Sequence, residues 1–124
     1  MSNPSETVVV LGASPKPDRY ANKAFHLLRE HGHEVIPVHP ALAELDGVPV
    51  VKRLEDIDEA VDTVTVYVGE TISAKLTDAL IALHPKRVIF NPGAENPALM
   101  QALDAEGIAT EEACTLVLLN TGQF

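Results

Sequence analysis

Short runs rich in β-branched and other apolar residues recur along this chain, and stretches with helical spacing lie between them. That alternation restricts the fold more than any other feature of the sequence. The runs are Thr7–Leu11 (TVVVL), Glu34–Val38 (EVIPV), Asp62–Val68 (DTVTVYV) and Arg87–Phe90 (RVIF), with shorter candidates at Val48–Val51 and Ile108–Thr110. Strands that read as continuous apolar runs are buried on both faces, and parallel neighbours need a crossover segment between them. The expected fold is therefore a single-domain α/β, doubly wound and mainly parallel sheet with helices on both faces. A chain of 124 residues supplies one such domain. It is expected over residues 7–124, after a polar, flexible leader at 1–6.

The intervening segments carry helix signals. Arg19–His31 is expected to be helical, with Asp18 as N-cap, Ala24, Phe25, Leu27 and Leu28 turned inward, and Gly32 as the stop. Ala41–Leu45 suggests a short helical turn ended by Asp46-Gly47, and Leu54–Ala60 a short helix. Ser73–Leu83 places Leu76, Ala79, Leu80 and Leu83 on one face, next to Ile72. Asn96 and Pro97 open another helix as N-cap and first-turn proline, and Gly107 closes it. The tail from Cys114 to Phe124 is apolar at Leu116–Leu119 and has to pack on the body.

In an open parallel sheet ligands bind at the C-terminal strand ends, where the strand order switches. The first such end here is GASPKPDRY, from Gly12 to Tyr20. A strand leading through a small-residue loop into a helix start is the build of an anion-binding turn, because the first helical amides and the helix dipole favour negative charge. Gly12 permits a sharp turn. Ala13 and Ser14 let a ligand approach the backbone, and Lys16, Arg19 and Lys23 add charge. The other loops at this edge are His39–Pro40, Gly69–Thr71 and Asn91–Asn96.

The usual nucleotide fingerprints are absent. G-x-G-x-x-G would need glycines where Ser14 and Pro17 stand, no Asp or Glu ends the second strand, and no G-x-x-x-x-G-K-[ST] occurs. Nine basic residues against eighteen acidic ones give a net charge of −9, which disfavours nucleic acid and anionic membrane as partners. An anionic ligand then has to be held by a local field. No apolar run is long enough to span a bilayer. One cysteine, Cys114, excludes an internal disulfide and points to a reducing, cytoplasmic setting.

The stretch GASPKPDRYANKAFHLLREHGHEVIPVHP closely resembles the opening of the small stand-alone CoA-binding proteins, which are similar in turn to the N-terminal CoA-binding domain of the succinyl-CoA synthetase α subunit. VDTVTVYV, RVIFNPGAEN and EGIATEEAC follow in the family's order. The resemblance implies a Rossmann-like fold with coenzyme A or an acyl-CoA as the ligand. By that likeness Gly12, Ala13, Ser14 and Lys16 lie against phosphates, with Arg19 and Tyr20 at the helix start. Pro40 borders the adenosine, Val68 and Gly69 line the nucleotide and pantetheine path, and Asn91, Pro92 and Gly93 sit at the mouth toward the thiol. Two departures stand out. His39 replaces an asparagine common in the family, and Asn91 replaces a longer glutamine. The synthetase's phosphorylated-histidine domain has no counterpart among these residues, so the resemblance implies no ligase activity.

Several residues invite a chemical role that their surroundings do not support. Asp18 would repel phosphate and is expected to face away. His39 fits a strand-end residue better than a general base. His31 and His33 flank a helix end, and no pair of histidines has metal-ligand spacing with a second cysteine. Cys114 beside an apolar tail fits a buried, inert thiol. No nucleophile, base and orienting group come together in the sequence. The expected function is CoA or acyl-CoA binding without catalysis, as a regulatory or carrier module. The alternatives are a small NAD(P)- or other nucleotide-dependent enzyme, and a protein-interaction module in which Leu116–Leu119 and Phe124 meet a partner or a second copy.

Overall fold

The computed structural model describes residues 5–124. Five parallel strands form the main sheet in the order β2-β1-β5-β6-β7: β1 Thr7–Leu11, β2 Glu34–Val38, β5 Thr63–Val66, β6 Arg87–Phe90 and β7 Ala109–Glu112. Register pairs Val9 with Ile36 on one side and with Val64 on the other. The order reverses between β1 and β5, so the expected doubly wound sheet is the observed one.

Alternation along the strands sorts the core into two layers. Val8 and Val10 face α1 (Tyr20–Glu30), where Ala21, Phe25 and Leu28 recur at helical spacing and are buried. Leu119 of α5 (Thr115–Asn120) joins that layer. Val9, Leu11, Val64, Val66, Val88 and Phe90 face the opposite side, against Leu80 of α3 (Thr77–Leu83) and Leu99 and Leu103 of α4 (Pro97–Ala105). The start of α4 is as expected, since Leu99 N–H donates to Asn96 Oδ1 at 3.1 Å.

Four expectations about local structure fail, each for a physical reason. Ala41–Leu45 is not a helical turn. Glu44–Leu45 (β3) and Val48–Pro49 (β4) form an antiparallel hairpin, because Asp46 and Gly47 take φ of 48° and 78° and so close a tight primed turn. Leu54–Ala60 holds only a 3-10 turn at Leu54–Asp56; Leu54, Ile57 and Val61 all reach the core from an irregular chain. The helix expected at Ser73–Leu83 starts earlier and is broken, as α2 Glu70–Ser73, a 3-10 turn Ala74–Leu76, then α3. Asp18 does not cap α1: Arg19 is the N-cap residue and no side chain accepts there.

Of the leader, residues 1–4 lie outside the described residues, whereas Ser5 and Glu6 are tied to the body. Ser5 Oγ donates to the Gly32 carbonyl, and Glu6 N–H donates to His33 Nδ1 at 3.0 Å. Glu6 also meets Arg87, whose guanidinium stacks on the Phe124 ring at 4.5 Å and donates to Thr63 Oγ1 at 2.8 Å. This cluster closes the N-terminal edge of the sheet.

The C-terminal edge is closed by a buried amide. Asn91 Nδ2 donates to Thr65 Oγ1 at 2.7 Å and to the Val66 carbonyl at 2.9 Å, while Thr115 N–H donates to Asn91 Oδ1 at 2.9 Å. Thr65 and Thr115 share a further hydroxyl bond of 2.7 Å. One side chain thus joins β5, β6 and the start of α5. Asn91→Ala is expected to cost roughly 2–3 kcal/mol in urea unfolding, because it leaves buried groups unpaired. A loss below about 0.5 kcal/mol would contradict the clamp.

Burial pushes the His33 imidazole below its ordinary value; the Glu6 carboxylate opposes this in part, and His31 and Arg87 reinforce it. Its Nδ1 accepts a backbone N–H, so the neutral ring is the form built into the fold. The unfolded chain therefore takes up the proton first. Stability is fully present above about pH 6.5 and falls as the pH drops toward the lowered folded value. Asp62 is lowered by the Thr7 amide and by Lys86, and acts in a separate window below about pH 4. Melting curves of His33→Asn are expected to be flatter than wild type from pH 7 to 5. Equal slopes would show that His33 does not titrate on unfolding.

Candidate functional site

At the sheet's switch point the chain leaves β1 through Gly12, whose φ is +94°. A Cβ there would lie 2.8 Å from Val68 Cγ1 and 3.2 Å from the Tyr67 carbonyl carbon, so the backbone of the first loop rests directly on the end of β5. Gly12 N–H and Ala13 N–H both donate to the Val38 carbonyl at 3.1 Å. These two amides are thereby turned inward and are not donors to a ligand in the cleft. Both residues still line the cleft through their surfaces.

The donors that do face outward lie further along. Lys16 N–H donates to Ser14 Oγ at 3.2 Å, which leaves the Ser14 hydroxyl hydrogen available to a ligand. Asn22, buried on α1, donates from Nδ2 to the Ser14 carbonyl at 2.9 Å and holds the loop in place. Proline at 15 and 17 removes two amides from the loop, and α1 then begins with no side-chain cap and no acidic residue in its first turn. Its first-turn amides have no intrahelical acceptor by construction, and nothing acidic competes for them.

This turn forms one wall of a cleft of about 900 Å³ along the C-terminal edge of the sheet. Of the expected site residues, Gly12, Ala13, Ser14, Lys16, Arg19, Tyr20, Pro40, Val68, Gly69, Pro92 and Gly93 all border it. Asn91 does not. Its amide is 2 % exposed and spent on the clamp described above, because a side chain one carbon shorter than glutamine ends among Thr65, Val66 and Thr115. Asp18 is exposed and outside the lining, and the Lys23 ammonium sits 5.4 Å over the Tyr20 ring.

Two cations were missed by local reasoning. Lys52 and Arg53 reach the cleft because Val51 bridges in parallel to Val38 and donates its N–H to the Pro37 carbonyl at 2.9 Å. Only tertiary pairing brings them to the groove that Lys16 and Arg19 also line, and no sequence spacing announces it. Among the described residues Lys16, Arg19 and Lys52 form no ion pair, and Arg53 has only a long one, 3.9 Å to Asp56. Four of the chain's nine basic residues therefore face one groove, with Glu55 as the lone acid in its lining. Fields focused in a cleft are screened less than those on an open face, so this groove attracts anions although the whole molecule repels them.

His39 takes the part of a polar cap. Its Nδ1 accepts from Ala41 N–H at 3.0 Å and Leu42 N–H at 3.2 Å, fixing the loop after β2 and leaving Nε2 as the donor. Tyr67 presents its ring to the cleft, while its hydroxyl is buried beside Thr65 and Thr115 without meeting either in hydrogen-bonding geometry. Burial, offset in part by those nearby hydroxyls, pushes that phenol up to about 12, so it keeps its proton at neutral pH. Among the described residues no three His, Cys, Asp or Glu side chains are placed to hold a metal ion, and no helix is long and apolar enough to cross a membrane.

Comparison with known proteins gives a consistent picture. A family model described as CoA binding domain matches residues 6–120. A Bacillus subtilis (strain 168) relative, uncharacterized protein YneT, is 36 % identical over 63 residues, a stretch that spans 51 % of this chain and about half (47 %) of that protein. A crystal structure of an uncharacterized protein superposes with a TM-score of 0.93 at 40 % identity, covering 98 % of this chain and 100 % of the other. A Thermus thermophilus structure, cell-free ID.343, gives 0.89 at 31 % identity, over 97 % and 91 % of the two chains.

Replacing Gly12 forces a side chain into Val68 at a φ that L residues avoid. Gly12→Ala is expected to cost about 2 kcal/mol or more and to disturb the cleft wall. An unchanged melting temperature would show that β1 and β5 do not meet as closely as described.

Proposed function

We propose, because this chain belongs to the CoA-binding domain family, that the cleft at its switch point holds coenzyme A or an acyl-CoA. The observation that carries this reading is the uncapped start of α1 facing a groove with Lys16, Arg19, Lys52 and Arg53 on its walls. A ligand with several phosphates matches such a groove, and a neutral ligand would leave those charges without purpose. Ser14 and the first amides of α1 would take the pyrophosphate. Arg19 would offer a forked, charge-assisted pair to a phosphate oxygen. Pro40 and the capped loop after β2 would border the adenosine, and Val68, Gly69, Pro92 and Gly93 would follow the pantetheine toward its sulfur.

Of the polar groups at the cleft's edge, Tyr67 keeps its proton, the Asn91 amide is held in the clamp, and His39, at the adenosine end, accepts two amides of its own loop. Binding without catalysis, as a carrier or sensor of the CoA pool, is the function that fits this set. A nicotinamide dinucleotide suits the site less well. The end of β2 offers His39 where a ribose-binding carboxylate would stand, and Gly12 is the only glycine of its loop.

Titration calorimetry with CoA, NAD and NADP side by side tests the proposal. Saturable binding of CoA with much weaker binding of both nicotinamides is expected; saturation by a nicotinamide with none by CoA would overturn it. Arg19→Ala is expected to weaken CoA by about 1–3 kcal/mol. Unaltered affinity would put that guanidinium in solvent.

A further inference from the structure

The four cations of the cleft come from two separate places in the fold. Lys16 and Arg19 stand on the loop and helix start that follow β1, and Lys52 and Arg53 stand together beside the end of β2. Three backbone contacts fix the second pair there. Val51 bridges in parallel to Val38, its N–H donates to the Pro37 carbonyl at 2.9 Å, and its carbonyl accepts the His39 N–H at 3.0 Å. The residues that follow Val51 therefore leave from the tip of β2, and they line the cleft together with Val38, His39 and Pro40.

The tip of β2 is where a Rossmann sheet reads the ribose of a bound nucleotide. A carboxylate there holds free ribose hydroxyls, and an arginine nearby accommodates a ribose phosphate. This chain has His39 in place of the carboxylate and brings in two cations from the segment after β4. Both cations can take an anion. Among the described residues Lys52 forms no ion pair, and Arg53 has only an exposed contact of 3.9 Å to Asp56, which is worth little. Glu55 is the one acid in the cleft lining, so this segment presents two cations against one carboxylate.

Resting on the reading of the cleft as a CoA site, we infer that Lys52 and Arg53 grip the phosphate on the 3′ position of the ligand's ribose, so that the protein takes CoA and discriminates against dephospho-CoA. The pyrophosphate falls to Ser14, Arg19 and the start of α1, which leaves the second pair of cations without a phosphate unless the ribose carries one. A phosphomonoester bears about two negative charges at neutral pH. Arginine can meet it with a forked pair of hydrogen bonds and lysine with a point charge.

The test is calorimetric titration with CoA and dephospho-CoA, which differ only in that phosphate. CoA is expected to bind roughly tenfold or more the tighter. In the Lys52→Gln/Arg53→Gln variant the ratio is expected to fall toward one, whereas Lys16→Gln is expected to weaken both ligands and keep the ratio. Equal affinities in the unaltered chain would overturn the inference while leaving CoA binding intact. A ratio that persists in the double variant, or that collapses as far in Lys16→Gln, would overturn the assignment to these two residues. Adenosine 3′,5′-bisphosphate is expected to bind more tightly than its 2′,5′ isomer; the reverse order would make the pair a handle for a nicotinamide dinucleotide phosphate and overturn the inference. If neither CoA nor dephospho-CoA binds, the CoA reading of the cleft falls, and the 3′-phosphate grip with it.

Discussion

The carbonyl of Val38 accepts the amides of both Gly12 and Ala13, and the shape of the ligand edge follows from that one junction. It draws the loop after β1 over toward the end of β2. Gly12, lacking a side chain, can then lie on Tyr67 and Val68 at the end of β5. Three neighbouring strand ends are pinned to one another, and the loop that leaves them delivers Ser14, Lys16, Arg19 and the start of α1 to the groove. The cost is the loss of two amides as donors to a ligand. The site therefore depends on the helix start and on side-chain charge more than on a cradle of loop amides, consistent with a loop that holds two prolines and a single glycine.

Charge is the second organising fact. A molecule of net charge −9 repels polyanions at long range, yet it gathers four cations on one groove. Of its eighteen acidic residues only Glu55 lines that groove, so the field there is set by the four cations and draws a polyanion in before any specific contact forms.

Much of this was visible in the residues, and the exceptions have a common cause. Strands β1, β2 and β6 and the cap and opening proline of α4 are local signals, and they stand where periodicity and cap chemistry put them. The first βα turn was legible for the same reason, since its small residues, cations and helix start are contiguous. Lys52 and Arg53 were not legible, because a parallel bridge between Val38 and Val51 is a tertiary event with no trace in either segment alone. Asn91 reads as a loop polar residue until its neighbours Thr65 and Thr115 are known. The hairpin at Asp46-Gly47 differs in kind: its signal lay in the sequence, and the apolar residues before it also suited a helical turn that ends there.

The central claim is that a local positive field, raised within an acidic protein, holds a polyanionic cofactor. It is tested most directly by titrating CoA into the quadruple variant Lys16→Gln/Arg19→Gln/Lys52→Gln/Arg53→Gln, checked to be folded by its melting curve, in parallel with the unaltered chain. One saturable site per chain in the parent, weakening as salt rises, and no measurable binding in the variant is the predicted result. Equal CoA affinity in the two proteins would contradict the account.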